Sequence, residues 1–221
     1  FLLRGHSSIV LTVACSADGS RIVSADLEGV VRLWEGPKYR KHRILMGRSD
    51  GRTRIAMSAN GALVAGFGTD GVIRVWNLQA NTGAHIIRKC DVALLCVAVS
   101  ADGKRVACAG IDGVIYVMDA ESGRELFQLC GHGDAVTDLA LSHDGATIIS
   151  TSKDGTVRRW SPESTSSEYC RVFVPRARPP HTSSWAGFAA DGALLSWSDN
   201  APDHWLFYLG RGRSEPLEAV L

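Results

Sequence analysis

The sequence predicts an all-β fold made of four-stranded antiparallel sheets that pack against one another. The first observation is a period of 42 residues, and its aromatic column consists of Trp34, Trp76, Met118 and Trp160. The second is a turn dipeptide at the same spacing, which begins at Asp18, Asn60, Asp102 and Asp144. The third is that the apolar runs between turns are short and lack the spacing of a long amphipathic helix.

Each unit is predicted to be a meander of hairpins. In the first unit, residues 9–34 contain an apolar run, an Asp-Gly turn, a second apolar run, a second turn and a third alternating run. Asp and Gly favour such turns because they tolerate the positive φ of tight hairpins. The fourth strand is expected in the variable stretch that follows, as in residues 121–132, where apolar and polar side chains alternate.

A sheet of about 42 residues cannot bury both faces by itself, so it must stack on its neighbours, and radial stacking yields a β-propeller. A column of small residues in the first strand suits the crowded position nearest the axis, and it consists of Ala14, Ala56, Ala98 and Ala140. The wider residues beside this column, Cys15 among them, are expected to fill the core between sheets.

The period breaks after Trp160. Residues 161–183 are rich in Ser, Thr and Pro, and they are expected to form a lengthened loop around one strand. Residues 183–200 then restart the pattern, with residues 204–209 as the third strand of a degenerate unit. The sequence thus predicts a single domain over residues 1–221, with units at about 5–46, 47–88, 89–130 and 131–172 and a degenerate unit at 182–221.

The repeats resemble those of the WD40 family. The resemblance rests on a Gly-His pair before the first strand, an Asp-Gly turn and a Trp at the end of the third strand, here Gly131-His132, Asp154-Gly155 and Trp160. It implies a propeller, and rings of that family usually close with seven blades. This chain is then a piece of a longer propeller, or it closes as a small ring, or a partner completes it.

The resemblance also implies a hydrogen-bonded tetrad of His, Ser or Thr, Asp and Trp that braces a blade. In the fourth unit its members are His132, Ser150 or Ser152, Asp154 and Trp160, and in the first unit they are His6, Glu28 and Trp34. The second and third units depart from the pattern, because Arg48 and Cys90 replace the His and Met118 replaces one Trp.

Motifs for catalysis, cofactors and metals are absent from the sequence. Residues 66–71 match G-x-G-x-x-G, but a strand pattern follows where a dinucleotide site needs a helix. There is no G-x-S-x-G elbow, and the seven His are scattered. Six Cys without a C-x-x-C pair favour a reducing intracellular compartment, either cytoplasm or nucleus, and no apolar run is long enough to span a membrane.

The most strongly charged stretch is residues 38–54. Its basic members are Lys38, Arg40, Lys41, Arg43, Arg48, Arg52 and Arg54. One interpretation is a patch for an acidic peptide, nucleic-acid phosphate or anionic lipid. The other is a solvated outer edge where charge discourages strand pairing, which the near-neutral net charge of +1 favours.

If the units form a propeller, the loops that carry the tetrad His and the second turns emerge on one face of the disc. The rim of that face is expected to contain Ser8, Leu27, Asp50, Thr69, Ile111, Asp134 and Lys153. WD40 proteins commonly bind peptides or partner domains there, so the resemblance implies a non-catalytic scaffold for protein contacts or complex assembly. Alternatives are a sensor or regulatory module of a longer NTPase-type signalling protein, and a nucleic-acid- or chromatin-associated subunit.

Overall fold

The computed structural model describes residues 2–39, 41–47, 51, 53–80 and 84–163, together with the backbone of the later strands named below. Within these residues the protein is all-β, and its only helical segment is a short 3-10 turn at Pro37–Tyr39. The predicted all-β class is therefore confirmed.

The first three sheets have four strands each. The first contains β1 (Val10–Cys15), β2 (Arg21–Asp26), β3 (Val31–Glu35) and β4 (Lys41–Met46). The second contains β5 (Arg54–Met57), β6 (Leu63–Phe67), β7 (Val72–Asn77) and β8 (His85–Lys89). The third contains β9 (Leu94–Val99), β10 (Arg105–Gly110), β11 (Ile115–Asp119) and β12 (Glu125–Leu129). Each strand pairs antiparallel with the next, which confirms the predicted meander.

The fourth sheet is larger than the sequence predicted. It contains β13 (Val136–Leu141), β14 (Ile148–Ser152), β15 (Val157–Trp160), β16 (Glu168–Val174), β17 (Ser184–Ala189) and β18 (Leu194–Trp197), in that order. A separate hairpin follows, formed by β19 (Leu206–Gly210) and β20 (Arg213–Leu217).

One expectation about the end of the chain agrees with this sheet, and another is corrected by it. The segment expected to be a lengthened loop around one strand contains β16, because residues 168–174 are rich in aromatic and β-branched residues that favour strands. The pattern restarted by β17 does not open a sheet of its own, since β17 pairs with β16, with Phe173 opposite Trp185. The predicted fifth unit also contains β18, β19 and β20, and its residues between and after these strands lie outside the described residues.

The sheets stack through their first strands. β1 contacts β5, β5 contacts β9 and β9 contacts β13, so these strands line up next to one another, as the small-residue column suggested. Buried apolar clusters fill the spaces between successive sheets: Leu33 and Trp76 lie in the first, Ile73 and Met118 in the second, and Val117 and Trp160 in the third. Burial of this apolar surface is what holds the sheets together.

Neighbouring sheets are also joined by hydrogen bonds between their first turns. The Ala17 amide donates to the Ala59 carbonyl at 2.8 Å, and the Asp102 amide donates to the His143 carbonyl at 3.1 Å. The two residues of each pair are 42 and 41 positions apart, which is about one repeat, so these bonds join the first turns of successive units.

Cys15, on the first strand of the first sheet, was expected in the core between sheets, and this expectation is wrong. That residue is exposed, and so are Val10, Leu11 and Val13 of the same strand. The main contacts of β1 are with β2 and β5. The side of β1 that faces away from these two strands is not covered by the described residues.

Candidate functional site

The fourth sheet contains a buried chain of hydrogen bonds. His132 lies just before β13, and its Nδ1 is 2.7 Å from Asp154 Oδ2 while its Nε2 is 2.7 Å from Ser150 Oγ. The Trp160 indole N–H donates to the same Ser150 oxygen at 2.8 Å. Since Ser150 accepts from Trp160, its own O–H can donate to His132 Nε2, and His132 Nδ1–H then donates to the carboxylate.

The charges of this site follow from its burial. Burial lowers the pKa of His132 despite the nearby carboxylate, which keeps the imidazole neutral. Burial alone would raise the pKa of Asp154, but hydrogen bonds from His132 and Thr156 hold it well below its usual range. The site is therefore a neutral imidazole hydrogen-bonded to an ionised carboxylate.

The glycine before His132 has a packing reason. Gly131 has a φ of +150°, and a Cβ on it would lie 2.7 Å from Arg158 Nη1 and 3.3 Å from the Trp160 ring. Only glycine allows the chain to pass this close to the indole and guanidinium. Gly5 packs against Trp34 in the same way in the first unit.

The first sheet has the same arrangement with a different carboxylate from the one predicted. His6 Nδ1 is 2.7 Å from Asp26 Oδ2, and His6 Nε2 is 2.7 Å from Ser24 Oγ. The Trp34 indole N–H donates to Ser24 Oγ at 2.8 Å. Glu28, which the sequence analysis placed in this set, is not the partner of His6.

Asp26 takes this position because it ends β2 with its side chain fully buried. Its Oδ1 also accepts the amides of Glu28 and Val30, at 3.1 and 3.0 Å, so one carboxylate both holds His6 and closes the turn. Ser24 was missed by the sequence analysis, although it precedes Ser150 by three periods and the repeat itself could have identified it.

Ser152, the alternative to Ser150, lies outside the chain of hydrogen bonds. Its Oγ donates to the Asp134 carbonyl at 2.9 Å and accepts the Asp154 amide at 3.1 Å. Ser152 therefore shapes the turn that presents Asp154, and Ser150 bonds to His132.

The second and third sheets lack this arrangement among their described residues. Gly66 and Cys108 stand where Ser24 and Ser150 stand in the other sheets, and Arg48 lies outside the described residues. The Trp76 indole donates to the Leu45 carbonyl at 3.2 Å, and Asp112 accepts the Tyr116 hydroxyl at 2.9 Å. The glycine-rich residues 66–71 form the end of β6 and the turn into β7, as the missing helix pattern indicated.

The predicted rim residues occupy equivalent places in successive sheets. The amides of Leu27, Ile111 and Lys153 donate to the carbonyls of Ile9, Ala93 and Ala135, at 2.9, 3.1 and 2.9 Å. Each second turn is thereby fixed against the segment that enters the first strand of its own sheet, and Thr69 lies against Gly51 in the second sheet. Leu27, Thr69, Ile111, Asp134 and Lys153 are exposed, Ser8 is half-buried, and Asp50 lies outside the described residues.

The basic residues of 38–54 that the structure describes are divided between two edges. Lys41 and Arg43 are on β4, the outer strand of the first sheet, whereas Arg54 is on β5, the innermost strand of the second. Arg43 lies 3.7 Å from Glu35, which offsets part of its charge. Lys38 is exposed in the 3-10 turn before β4, and Arg40, Arg48 and Arg52 lie outside the described residues.

The described residues contain no group of three or more His, Cys, Asp or Glu side chains placed to hold a metal ion. They also contain no helix with the length and apolar character needed to cross a membrane.

A family model described as WD domain, G-beta repeat, matches the chain four times, at residues 1–35, 40–77, 82–119 and 123–161. The matched ranges cover more than half of the 221 residues. The second, third and fourth matches each begin at the outer strand of one sheet and continue through the first three strands of the next. A comparison with curated proteins finds no match.

Proposed function

Because the chain belongs to the WD40 repeat family, whose domains mediate protein interactions, we propose that it is a non-catalytic scaffold for complex assembly that binds a protein partner across the rim described above. The proposal rests most on the apolar side chains at two of the rim turns. Ile111 is 57% exposed and Leu27 is 37% exposed. Exposed apolar groups on a fixed backbone suit a contact surface, since little conformational entropy is lost when a partner covers them.

The polar members of the rim would give such a contact its specificity. Asp134 and Lys153 carry opposite charges at the fourth sheet, and Thr69 presents a hydroxyl at the second. A partner that covers this rim is therefore expected to combine an apolar centre with both acidic and basic groups.

The experiment compares Ile111 with Ile86, an isoleucine of nearly equal exposure, 58%, on the outer strand β8. A photo-crosslinking amino acid is placed at each position in the full chain within cells. We expect a protein partner to be captured from position 111 and not from position 86.

The captured partner is then titrated against two substituted chains. Ile111→Asp is expected to weaken its binding by about tenfold or more, because a charge would be buried in the contact, whereas Ile86→Asp leaves it unchanged. Equal capture from both positions, or equal loss of binding, would contradict the proposed location of the surface.

A further inference from the structure

The third sheet has a pair of thiols where the first and fourth sheets have a hydrogen-bonded His and Ser. Cys90 is one period before His132, and Cys108 is one period before Ser150. In the other two sheets the side chains at these positions meet at 2.7 Å, His6 with Ser24 and His132 with Ser150. The repeat therefore directs the two cysteines toward each other.

The two thiols do meet in the third sheet. Cys90 and Cys108 lie close enough for each thiol to shift the pKa of the other, and both belong to the apolar cluster between the second and third sheets. Cys108 is fully buried on β10, whereas Cys90 keeps 8% of its surface exposed. Cys90 is thus the less buried of the two residues.

A cation lies beside the less buried thiol. The positive charge of Arg88 lowers the pKa of Cys90, and the guanidinium stacks on the Tyr116 ring with Cζ 4.3 Å from the centroid. The guanidinium also forms an ion pair with Glu125. Asp112 is also nearby and opposes a thiolate, but its carboxylate accepts the Tyr116 hydroxyl.

This environment shifts the pKa values of the two thiols in opposite directions. The hydrogen bond from Cys108 and the charge of Arg88 lower the pKa of Cys90, against the effect of burial. The same hydrogen bond and burial raise the pKa of Cys108. The third buried cysteine of this sheet, Cys96, behaves differently from Cys90. Burial raises the pKa of Cys96 to about 12, and its thiol donates to the backbone carbonyls of Ala109 and Val136.

We propose that Cys90 and Cys108 form a redox-active pair, in which a hydroperoxide oxidises Cys90 and Cys108 then closes a disulfide within the third sheet. In the first step, the Cys90 thiolate attacks one peroxide oxygen, the O–O bond breaks, and Cys90 becomes a sulfenic acid. The departing alkoxide or hydroxide takes up the proton that the Cys90 thiol had released, and it leaves as an alcohol or water. In the second step, the Cys108 sulfur attacks the Cys90 sulfur, its proton goes to the departing hydroxyl, and water leaves. The two thiols lose two electrons in total, and the peroxide gains them.

The test uses the full chain and hydrogen peroxide as the probe. Increasing peroxide is added, free thiols are alkylated, and each cysteine is quantified by mass spectrometry. We expect a Cys90–Cys108 disulfide at a peroxide concentration about tenfold or more below that which oxidises Cys15 and Cys130, which are the exposed cysteines in the part of the chain whose side chains the structure describes. A reductant such as dithiothreitol should restore both thiols.

Two substitutions distinguish the roles of the thiols. Cys108→Ser installs the residue found in the first and fourth sheets, so the fold should tolerate it, and it should leave a sulfenic acid on Cys90 that dimedone traps. Cys90→Ser should leave Cys108 reduced over the same peroxide range, because the buried thiol has lost its partner.

Two results would overturn the proposal. One is that Cys90 reacts no faster than Cys15 and Cys130 in the unsubstituted chain. The other is that Cys90 reacts but its disulfide forms with a cysteine other than Cys108.

Discussion

A buried serine hydroxyl connects two side chains that are distant from each other in the sequence. Ser150 contacts both His132 and Trp160, and its removal would leave a ring nitrogen and an indole N–H without a partner inside the fold. Unsatisfied buried polar groups cost about 1–3 kcal/mol each, which is much more than an exposed hydrogen bond contributes. The same reasoning applies to Ser24 in the first sheet.

The choice between two acidic residues in the first sheet gives the first prediction. Asp26→Asn is expected to lower the free energy of unfolding by about 2 kcal/mol, because it removes the charged acceptor of His6 and of two turn amides. Glu28→Gln is the matched control, and its effect should be below about 1 kcal/mol, since Glu28 is not the partner of His6. Urea unfolding followed by tryptophan fluorescence measures both, and a larger loss from Glu28→Gln would contradict the assignment.

The neutral state of His132 gives a prediction about pH. Its pKa is below the ordinary value of 6.5 in the folded chain, so between these two values the unfolded state binds more protons than the folded state. The stability due to this residue is therefore complete above pH 6.5 and declines as the pH falls below that value.

The measurement is the free energy of unfolding at several pH values between 5 and 8. His132→Gln should reduce the dependence on pH below 6.5, whereas His143→Gln, at an exposed position, should leave it unchanged. An identical pH dependence in the His132→Gln chain would show that another group causes it.

At the scale of the strand and turn, each first hairpin is closed by a serine and an acid or amide two residues later. Ser16 Oγ donates to Asp18 Oδ1 at 2.6 Å, and this bond together with one from Ser20 lowers the pKa of Asp18 to about 2. The same bond occurs in all four units, in the pairs Ser16–Asp18, Ser58–Asn60, Ser100–Asp102 and Ser142–Asp144. Such local bonds explain why the turn column was visible in the sequence.

In the second sheet, a glycine occupies the position that holds Ser24 in the first sheet and Ser150 in the fourth, and the structure leaves little room for a serine there. Gly66→Ser would install the residue of the first and fourth sheets, but its Cβ would lie 2.9 Å from the Arg54 carbonyl oxygen and 3.1 Å from Ile55 Cγ2. We expect this substitution to destabilise the chain by about 1–3 kcal/mol, because backbone must move to admit the added atoms.

Cys108→Ser serves as the control for Gly66→Ser, since it makes the corresponding change in the third sheet without adding volume. Its effect on the unfolding midpoint should be the smaller of the two. A stabilising effect of Gly66→Ser would mean that the repeat pattern outweighs the close approach of β5.

At the scale of the whole molecule, the units are interlocked. The second, third and fourth family matches start in the outer strand of one sheet and end in the third strand of the next, so no matched repeat forms a complete sheet by itself. The apolar clusters between sheets and the hydrogen bonds between turns add further coupling. Cooperative unfolding of neighbouring sheets follows from this arrangement.

The uncovered side of β1 gives a prediction about association. Val13 is 67% exposed and continues an apolar row with Val10 and Leu11, and rows of this kind favour pairing between chains. We expect the isolated chain to self-associate, and Val13→Lys to shift it toward a monomer. Ile86→Lys, on an outer strand, should have no such effect.

Size-exclusion chromatography with light scattering measures the mass of all three chains. A monodisperse monomer of the unsubstituted chain would show that the β1 surface is satisfied within the molecule.

The sequence by itself determined the period, the turns and the strands of the first three sheets. These depend on groups a few residues apart, such as Ser16 with Asp18, and on alternation along each strand. The resemblance of its repeats to those of the WD40 family also pointed to His132, Asp154 and Trp160.

Only the tertiary structure decided which surfaces and side chains meet. It selected Asp26 over Glu28, left Cys15 exposed, joined β17 to β16, and brought Cys90 to Cys108. Each outcome depends on packing between segments distant in the chain, where several residues of suitable chemistry compete for one position. Their spacing in the sequence does not distinguish these competitors, because burial and hydrogen bonding act on distances in space.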